Sequence, residues 1–114
     1  AVKPWLPLSV MAEAVQKTVE DAGFSVVREY GGHGIGKEFH EDPFVGFTTD
    51  APDVDTIMVP GMVFTIEPMV NAGEPGIKID HGDGWCVRTQ DGSDSTQCEV
   101  QLVVTDDGYE LLSW

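Results

Sequence analysis

Apolar and polar positions near the amino end alternate with the spacing of one helix face. After Ser9, a residue type that often caps helix amino termini, apolar or small residues recur at helical intervals up to Ala22. Gly23 follows, where a left-handed residue commonly ends a helix. The pattern predicts one amphipathic helix of about four turns, with an apolar face made of Val10, Met11, Ala14, Val15, Thr18, Val19 and Ala22.

Beyond Gly23 the pattern changes to short β-branched and alternating segments, which are typical of strands. Residues 62–70 are apolar at nearly every position, and this predicts a central strand covered on both faces. Further strands are predicted at residues 24–28, 77–79, 85–89, 97–105 and 109–112, the last two joined as a hairpin. The sequence therefore predicts a single α+β domain over residues 1–114, with one main amphipathic helix and five or six mostly antiparallel strands.

The charge of the chain limits its partners. Twenty acidic residues stand against six basic ones, giving a formal net charge of -14, which repels phosphate and anionic lipid. We therefore expect neither nucleic-acid nor membrane partners. With no apolar run of about 18 residues and no charged-then-apolar leader, we expect a cytoplasmic protein.

The two cysteines, Cys86 and Cys98, do not have the spacing of a zinc or redox motif. In a reducing compartment we expect them to be free and partly buried thiols. No chemistry is assigned to them.

Glu67 is the most informative charged position. It lies inside the apolar segment from Val63 to Val70, where an unpaired buried carboxylate would cost several kcal/mol. A lysine or arginine partner is one solution, but the chain has only six such residues. The sequence favours a metal ion or a functional hydrogen-bond partner.

Glu99 alone suggests a different environment. Strand alternation places it on one face with Gln97 and Gln101, while Cys98 and its apolar neighbours point the other way. On pattern alone, this is a polar face turned towards solvent.

Three histidines complete the candidate chemistry. His33 lies in the glycine-rich segment 31–36, whose backbone must bend tightly or approach something closely, and His40 follows in Phe39-His40-Glu41. Neither spacing is that of a zinc helix or finger, and a histidine among glycines is more often structural. His81 lies in a turn and is expected to be exposed and inert.

Six short motifs follow one another along the chain. They are Gly32-His33-Gly34-Ile35-Gly36, Phe39-His40-Glu41-Asp42-Pro43, Pro60-Gly61-Met62, Phe64-Thr65-Ile66-Glu67-Pro68-Met69, Asp83-Gly84-Trp85 and Thr96-Gln97-Cys98-Glu99. They stand in the order found in methionine aminopeptidases, and the sequence resembles the type I branch of that family from about Val2 to Leu112. The motifs Glu67-Pro68-Met69 and Asp83-Gly84-Trp85 resemble this branch more than the proline-specific members of the same pita-bread group.

The resemblance implies a role for each matching residue. His33, Glu67 and Glu99 would be metal ligands, with Glu99 bridging two ions, and His40 would contact the substrate amide. Phe39 and Trp85 resemble the lining of the methionine pocket. The implied cofactors are divalent ions, Co, Mn, Fe or Zn, two per complete site, and the implied activity is removal of the amino-terminal methionine from a peptide substrate.

The resemblance also implies half of a pita-bread fold, the carboxyl-terminal half. Two aspartate ligands and a further catalytic histidine precede the matched region in the family, so the expected partner is the missing amino-terminal half or a second copy of the chain. Val100 and Gln101 stand where the family commonly has His-Thr. The alternative function is a catalytically silent half that binds a peptide or protein.

Overall fold

The computed structural model describes residues 1–113, and within them the chain forms one helix and ten short strands. Their bounds are α1 (Leu8–Asp21), β1 (Ser25–Val26), β2 (Gly32–Gly34), β3 (Glu41–Val45), β4 (Val63–Ile66), β5 (Met69–Asn71), β6 (Ile77–Ile79), β7 (Val87–Thr89), β8 (Ser95–Gln97), β9 (Val100–Val104) and β10 (Tyr109–Ser113).

The strands form three antiparallel sheets. The five-stranded sheet has the order β10-β9-β4-β2-β3, the three-stranded sheet has the order β1-β5-β8, and β6 pairs with β7. The predicted α+β class is confirmed, but the strand count of five or six is too low.

The sequence pattern failed to predict some of the strands for two physical reasons. The glycines around His33 conceal β2, and Pro43 conceals β3, which tolerates a proline because it is an edge strand. The predicted strands 62–70 and 97–105 are each broken into two, because the chain passes between the five-stranded and the three-stranded sheet within each of them.

The two breaks lie opposite each other. Ile66 pairs with Val100 on one side of the breaks, and Met69 pairs with Gln97 on the other side, so the register is the same on both sides. Glu67 therefore falls opposite Glu99. Pro68 follows Glu67 and has no N–H to continue a ladder.

The helix begins earlier than the capping pattern predicts. It starts at Leu8 after Pro7, and no side chain caps it. Instead, the backbone N–H groups of Leu8 and Ser9 donate to the carbonyls of Thr56 and Val54, at 2.8 Å each. These tertiary contacts satisfy groups that a capping side chain would otherwise have to bind. At the other end Gly23 has a φ of 85°, as predicted. No helix within residues 1–113 is long and apolar enough to cross a membrane.

The main core lies between α1 and one face of the five-stranded sheet. Each large apolar side chain that is fully buried contributes roughly 1.5–3 kcal/mol. The buried cluster consists of Val2, Leu8, Met11, Val26, Val45, Phe47, Met58, Phe64, Leu102 and Val104.

The helix covers that sheet face incompletely. Val15 and Val19 are only partly buried, and Thr18 and Ala22 of the predicted apolar face are exposed. Between this part of α1 and strands β4, β9 and β10 lies an apolar groove of about 380 Å³. Met11, Val15 and Val19 line it on the helix side, and Ile66, Leu102 and Leu111 line it on the sheet side.

Both cysteines are free, as predicted, but they are exposed rather than partly buried. Cys86 lies beside the two-stranded β6–β7 hairpin, and Cys98 lies at the crossing between β8 and β9. The alternation that would have turned Cys98 inwards stops at this crossing, because the strand does not continue through it.

Candidate metal centre

Three predicted ligands converge at one point. His33 lies on β2, Glu67 follows β4, and Glu99 precedes β9. One ligand atom from each side chain lies within 4.8 Å of the other two. His33 and Glu67 are half-buried, and Glu99 is exposed. The structure therefore brings together residues that are far apart in the sequence.

Strand register explains this convergence. Gly34 pairs with Phe64, so His33 falls opposite Thr65 on β4. Thr65 and Glu67 are two residues apart and share a face of the sheet, and Glu99 lies opposite Glu67. This face is the one turned away from the apolar core.

A backbone contact orients the His33 ring. Its Nδ1 lies 3.0 Å from the carbonyl oxygen of Gly34, which can only accept a hydrogen bond, so Nδ1 carries a proton. Nε2 then faces Oε2 of Glu67 at 3.5 Å. Metal-binding histidines are commonly oriented in this way through the nitrogen that does not bind the metal.

The site raises the pKa of the Glu67 carboxyl above its ordinary value. Burial is the main cause, and the negative charge of Glu99 acts in the same direction. A hydrogen bond from the Thr65 hydroxyl and the proximity of His33 oppose the shift in the pKa of Glu67 without cancelling it. The fold thus holds two like charges together in a partly dry site.

Two further predicted residues lie beside the ligands. The ring centroids of His33 and His40 are 4.2 Å apart, and Phe39 packs edge-on against His40 at 4.6 Å. Phe39 is 73% exposed, so its ring is open to a ligand. The structure thus brings His40 and Phe39 to the ligand cluster.

Trp85 lies apart from this cluster. It lies between β6 and β7, where its backbone N–H donates to Asp83, and its side chain is 85% exposed. No contact between Trp85 and the ligands is found among the described residues. Its role in a methionine pocket stays a prediction. His81 is exposed in the same turn, as expected.

Two supporting residues escaped the sequence reasoning. The Thr65 hydroxyl accepts a hydrogen bond from the backbone N–H of His33 at 3.0 Å, and the side-chain amide of Gln97 donates to the backbone carbonyl of Glu67 at 2.9 Å. Alternation places Thr65 on the face of Glu67, and this was an available signal. For Gln97 the contact depends on pairing between distant strands.

The sequence profile of metallopeptidase family M24 matches residues 1–106. The chain belongs to this family. Among curated M24 relatives, it is 53% identical over 112 residues to methionine aminopeptidase of Escherichia coli and 52% identical over 112 residues to that of Haemophilus influenzae. The match covers 98% of this chain but only 42% and 41% of those proteins, and it corresponds to their carboxyl-terminal half.

Solved structures of peptidases have a similar fold. Methionine aminopeptidase from Rickettsia prowazekii superposes with a TM-score of 0.90 at 40% identity, covering 96% of this chain and 44% of that one. The Thermotoga maritima enzyme gives a TM-score of 0.90 at 37% identity, covering 97% and 44%. A dipeptidase from Mycobacterium ulcerans is more distant, with a TM-score of 0.65 at 26% identity, covering 99% and 24%. The fold is that of one half of the pita-bread methionine aminopeptidases.

The residues of the cluster fit the divalent ions that the M24 family implies. One imidazole and two carboxylates suit Mn, Fe, Co and Zn. A cation would also relieve the repulsion between Glu67 and Glu99 that the register imposes.

We predict that Glu99→Gln lowers the pKa of Glu67 towards its ordinary value of 4.5 in the metal-free protein, because it removes the neighbouring negative charge. A raised carboxyl pKa means that the stability contributed by protonated Glu67 is fully present below 4.5 and is lost as pH rises through the raised value. Glu99→Gln should therefore reduce the stability that the protein loses as pH rises. Carbon-13 NMR titration of the carboxyl measures the pKa, and urea unfolding across the same pH range measures the stability.

The matched control is Glu110→Gln on the exposed strand β10. It should leave the titration of Glu67 unchanged. An unaltered pKa of Glu67 in Glu99→Gln would show that the two carboxylates do not interact in solution.

Proposed function

We propose that this chain is part of a methionine aminopeptidase and that His33, Glu67 and Glu99 hold its divalent metal. The convergence of their three ligand atoms within 4.8 Å is the observation that carries the proposal. The names of the relatives that match nearly the whole chain support the substrate class, a peptide with amino-terminal methionine. Such substrates are newly made proteins, so we place the protein in the cytoplasm.

Each residue of the site has a proposed task. Divalent ions activate water and polarise a carbonyl, and the residue types present allow Co, Mn, Fe or Zn. His40, beside His33, would hydrogen-bond the substrate amide, and the exposed ring of Phe39 would contact the methionine side chain, together with Trp85.

The complete site needs more ligands than this chain brings together. The resemblance implies two metal ions, two aspartate ligands and a further histidine, and the chain spans less than half the length of its curated relatives. We propose that these residues belong to the other half of the pita-bread fold. The three ligands here are then one side of a site that two halves share.

We predict that the purified chain binds one Mn²⁺ weakly and that Glu67→Gln lowers the affinity about 10-fold or more, because a half-buried ligand charge is lost. Calorimetry measures this directly. Mn²⁺ is preferred to Zn²⁺ as the probe because the exposed Cys86 and Cys98 would compete for zinc. Equal affinities of the wild type and Glu67→Gln would count against this ligand set, while Glu110→Gln should bind as the wild type does.

We predict negligible release of methionine from a Met-Ala-Ser peptide by the chain alone, and measurable release after fusion to the unmatched part of the Escherichia coli enzyme. In that fusion, His40→Ala should lower kcat about 10²- to 10⁴-fold, the usual contribution of a proton-transferring or charge-stabilising group. His81→Ala, in the exposed turn, is the control. Full activity of the isolated chain would contradict the shared site and favour a self-sufficient one, and full activity of the His40→Ala fusion would remove His40 from the mechanism.

We further infer that the apolar groove between α1 and β10 is covered by a second M24 half. Leu111 and Tyr109 of β10 line the groove, and their side chains are 40% and 52% exposed. Apolar surface of this kind favours association. For the purified chain, the available cover is a second copy in a two-fold contact.

Sedimentation of the purified chain should therefore show a dimer that strengthens with salt, because salt screens the repulsion between copies of charge -14. Leu111→Asp should abolish it. Leu112→Asp changes the adjacent residue, which is 49% exposed but does not line the groove, so it should leave the dimer intact. A wild-type monomer at every salt and protein concentration would rule out self-association.

A further inference from the structure

Thr65 is a polar side chain buried at the centre of the site face. It lies in the middle of β4, with Gln101 opposite it on β9 and His33 opposite it on β2. Its exposed fraction is 0%. A buried hydroxyl of this kind is stable only if it is hydrogen-bonded, so its bonds identify what it does in the fold.

The first bond fixes the backbone of His33. In a regular antiparallel ladder, the N–H of His33 would donate to the backbone carbonyl of Thr65, just as the N–H of Ile35 donates to the carbonyl of Val63 at 3.0 Å. Here the Thr65 hydroxyl oxygen accepts the His33 N–H instead, at 3.0 Å. The position of the His33 backbone thus depends on a side chain of the neighbouring strand.

The second interaction of the hydroxyl is with Glu67. A hydroxyl that accepts one hydrogen bond still has a proton to donate. Thr65 and Glu67 share one face of the chain, and the Thr65 hydroxyl opposes the rise in the pKa of the Glu67 carboxyl. The hydroxyl that holds the backbone of His33 therefore also acts on its neighbour in the cluster.

Close approach of the strands depends on Gly32. A Cβ atom at that position would lie 2.8 Å from the Thr65 hydroxyl oxygen and would also collide with the Thr65 carbonyl. Any larger residue at position 32 would push β2 away from β4. The glycine next to His33 thus allows the hydroxyl to reach the His33 N–H.

We propose that Thr65 is a positioning residue of the metal centre, whose hydroxyl holds the backbone of His33 where the His33 ring faces Glu67. The proposal rests on the metal ligands named under the proposed function. It assigns Thr65 no contact with the ion. Its effect is to place one proposed ligand, His33, beside the other two.

The test compares Mn²⁺ affinity in Thr65→Val and Thr65→Ser. Valine keeps the shape and removes the hydrogen bond to the His33 N–H, and it should weaken binding about 10- to 100-fold, as loss of a residue that orients a ligand usually does. Serine restores the hydroxyl and should bind within about 3-fold of the wild type, so loss of binding in both variants would overturn the proposal. Thr105→Val, at the β9–β10 turn, removes a hydroxyl that donates to Asp107 and should have no effect.

A second measurement uses the unaltered protein and does not depend on whether Thr65→Val folds. Proton NMR of the metal-free wild type should show a slowly exchanging Thr65 hydroxyl proton, with Overhauser contacts to the His33 N–H and to the Glu67 side chain. Fast exchange of that proton, or contacts to other groups alone, would overturn the proposal.

The outcomes separate this proposal from the ligand assignment. If Glu67→Gln weakens Mn²⁺ binding while Thr65→Val binds as the wild type does, the ligand assignment is supported and the positioning role of Thr65 is wrong. If Glu67→Gln leaves Mn²⁺ binding unchanged, the ligand set is wrong and the positioning role is overturned with it.

Discussion

Two like charges, Glu67 and Glu99, are held opposite each other, and the geometry of the site depends on this constraint. The ladders on both sides of the pair have the same register, so the backbones of residues 67 and 99 cannot move apart without breaking strand pairing. Like charges directly opposite each other destabilise a sheet, and partial burial increases the effect at Glu67. The surrounding pairing stabilises an arrangement that is unfavourable until a cation is present.

The same constraint explains the irregular backbone at the site. The chain leaves the five-stranded sheet at Glu67 and returns to it at Glu99, and Pro68 prevents the ladder from continuing unbroken. Thr65 and Gln97 compensate with side-chain hydrogen bonds to the backbones of His33 and Glu67. Breaks in the regular pairing thus bring the ligands together.

The stability of the fold comes mainly from the apolar side of the sheet. The ion pairs formed by lysine or arginine among residues 1–113, such as Lys17 with Asp21 and Arg28 with Asp50, are exposed and contribute little. The core against α1 is well buried, but its margin opens into the groove beside β10. An apolar face with incomplete cover is consistent with half of a larger fold.

The sequence by itself determined the helix, the α+β class and the family, and it predicted the three residues that meet in the cluster. Helical spacing reveals α1, and the unusual Glu67 in an apolar segment reveals a carboxylate that needs a partner. Alternation correctly described Glu99 as exposed but did not show that it lies opposite Glu67. It also described 62–70 and 97–105 as continuous strands, because one-dimensional periodicity does not show where a chain changes sheets.

Only the tertiary structure decided which residues meet. The opposition of Glu67 and Glu99, the bond from His33 to Thr65 and the early start of α1 at Leu8 all depend on strand pairing or loop contacts between residues distant in sequence. Local pattern records which face a side chain occupies. Register between strands, which is fixed by the packing of the whole sheet, sets the partner that the side chain faces.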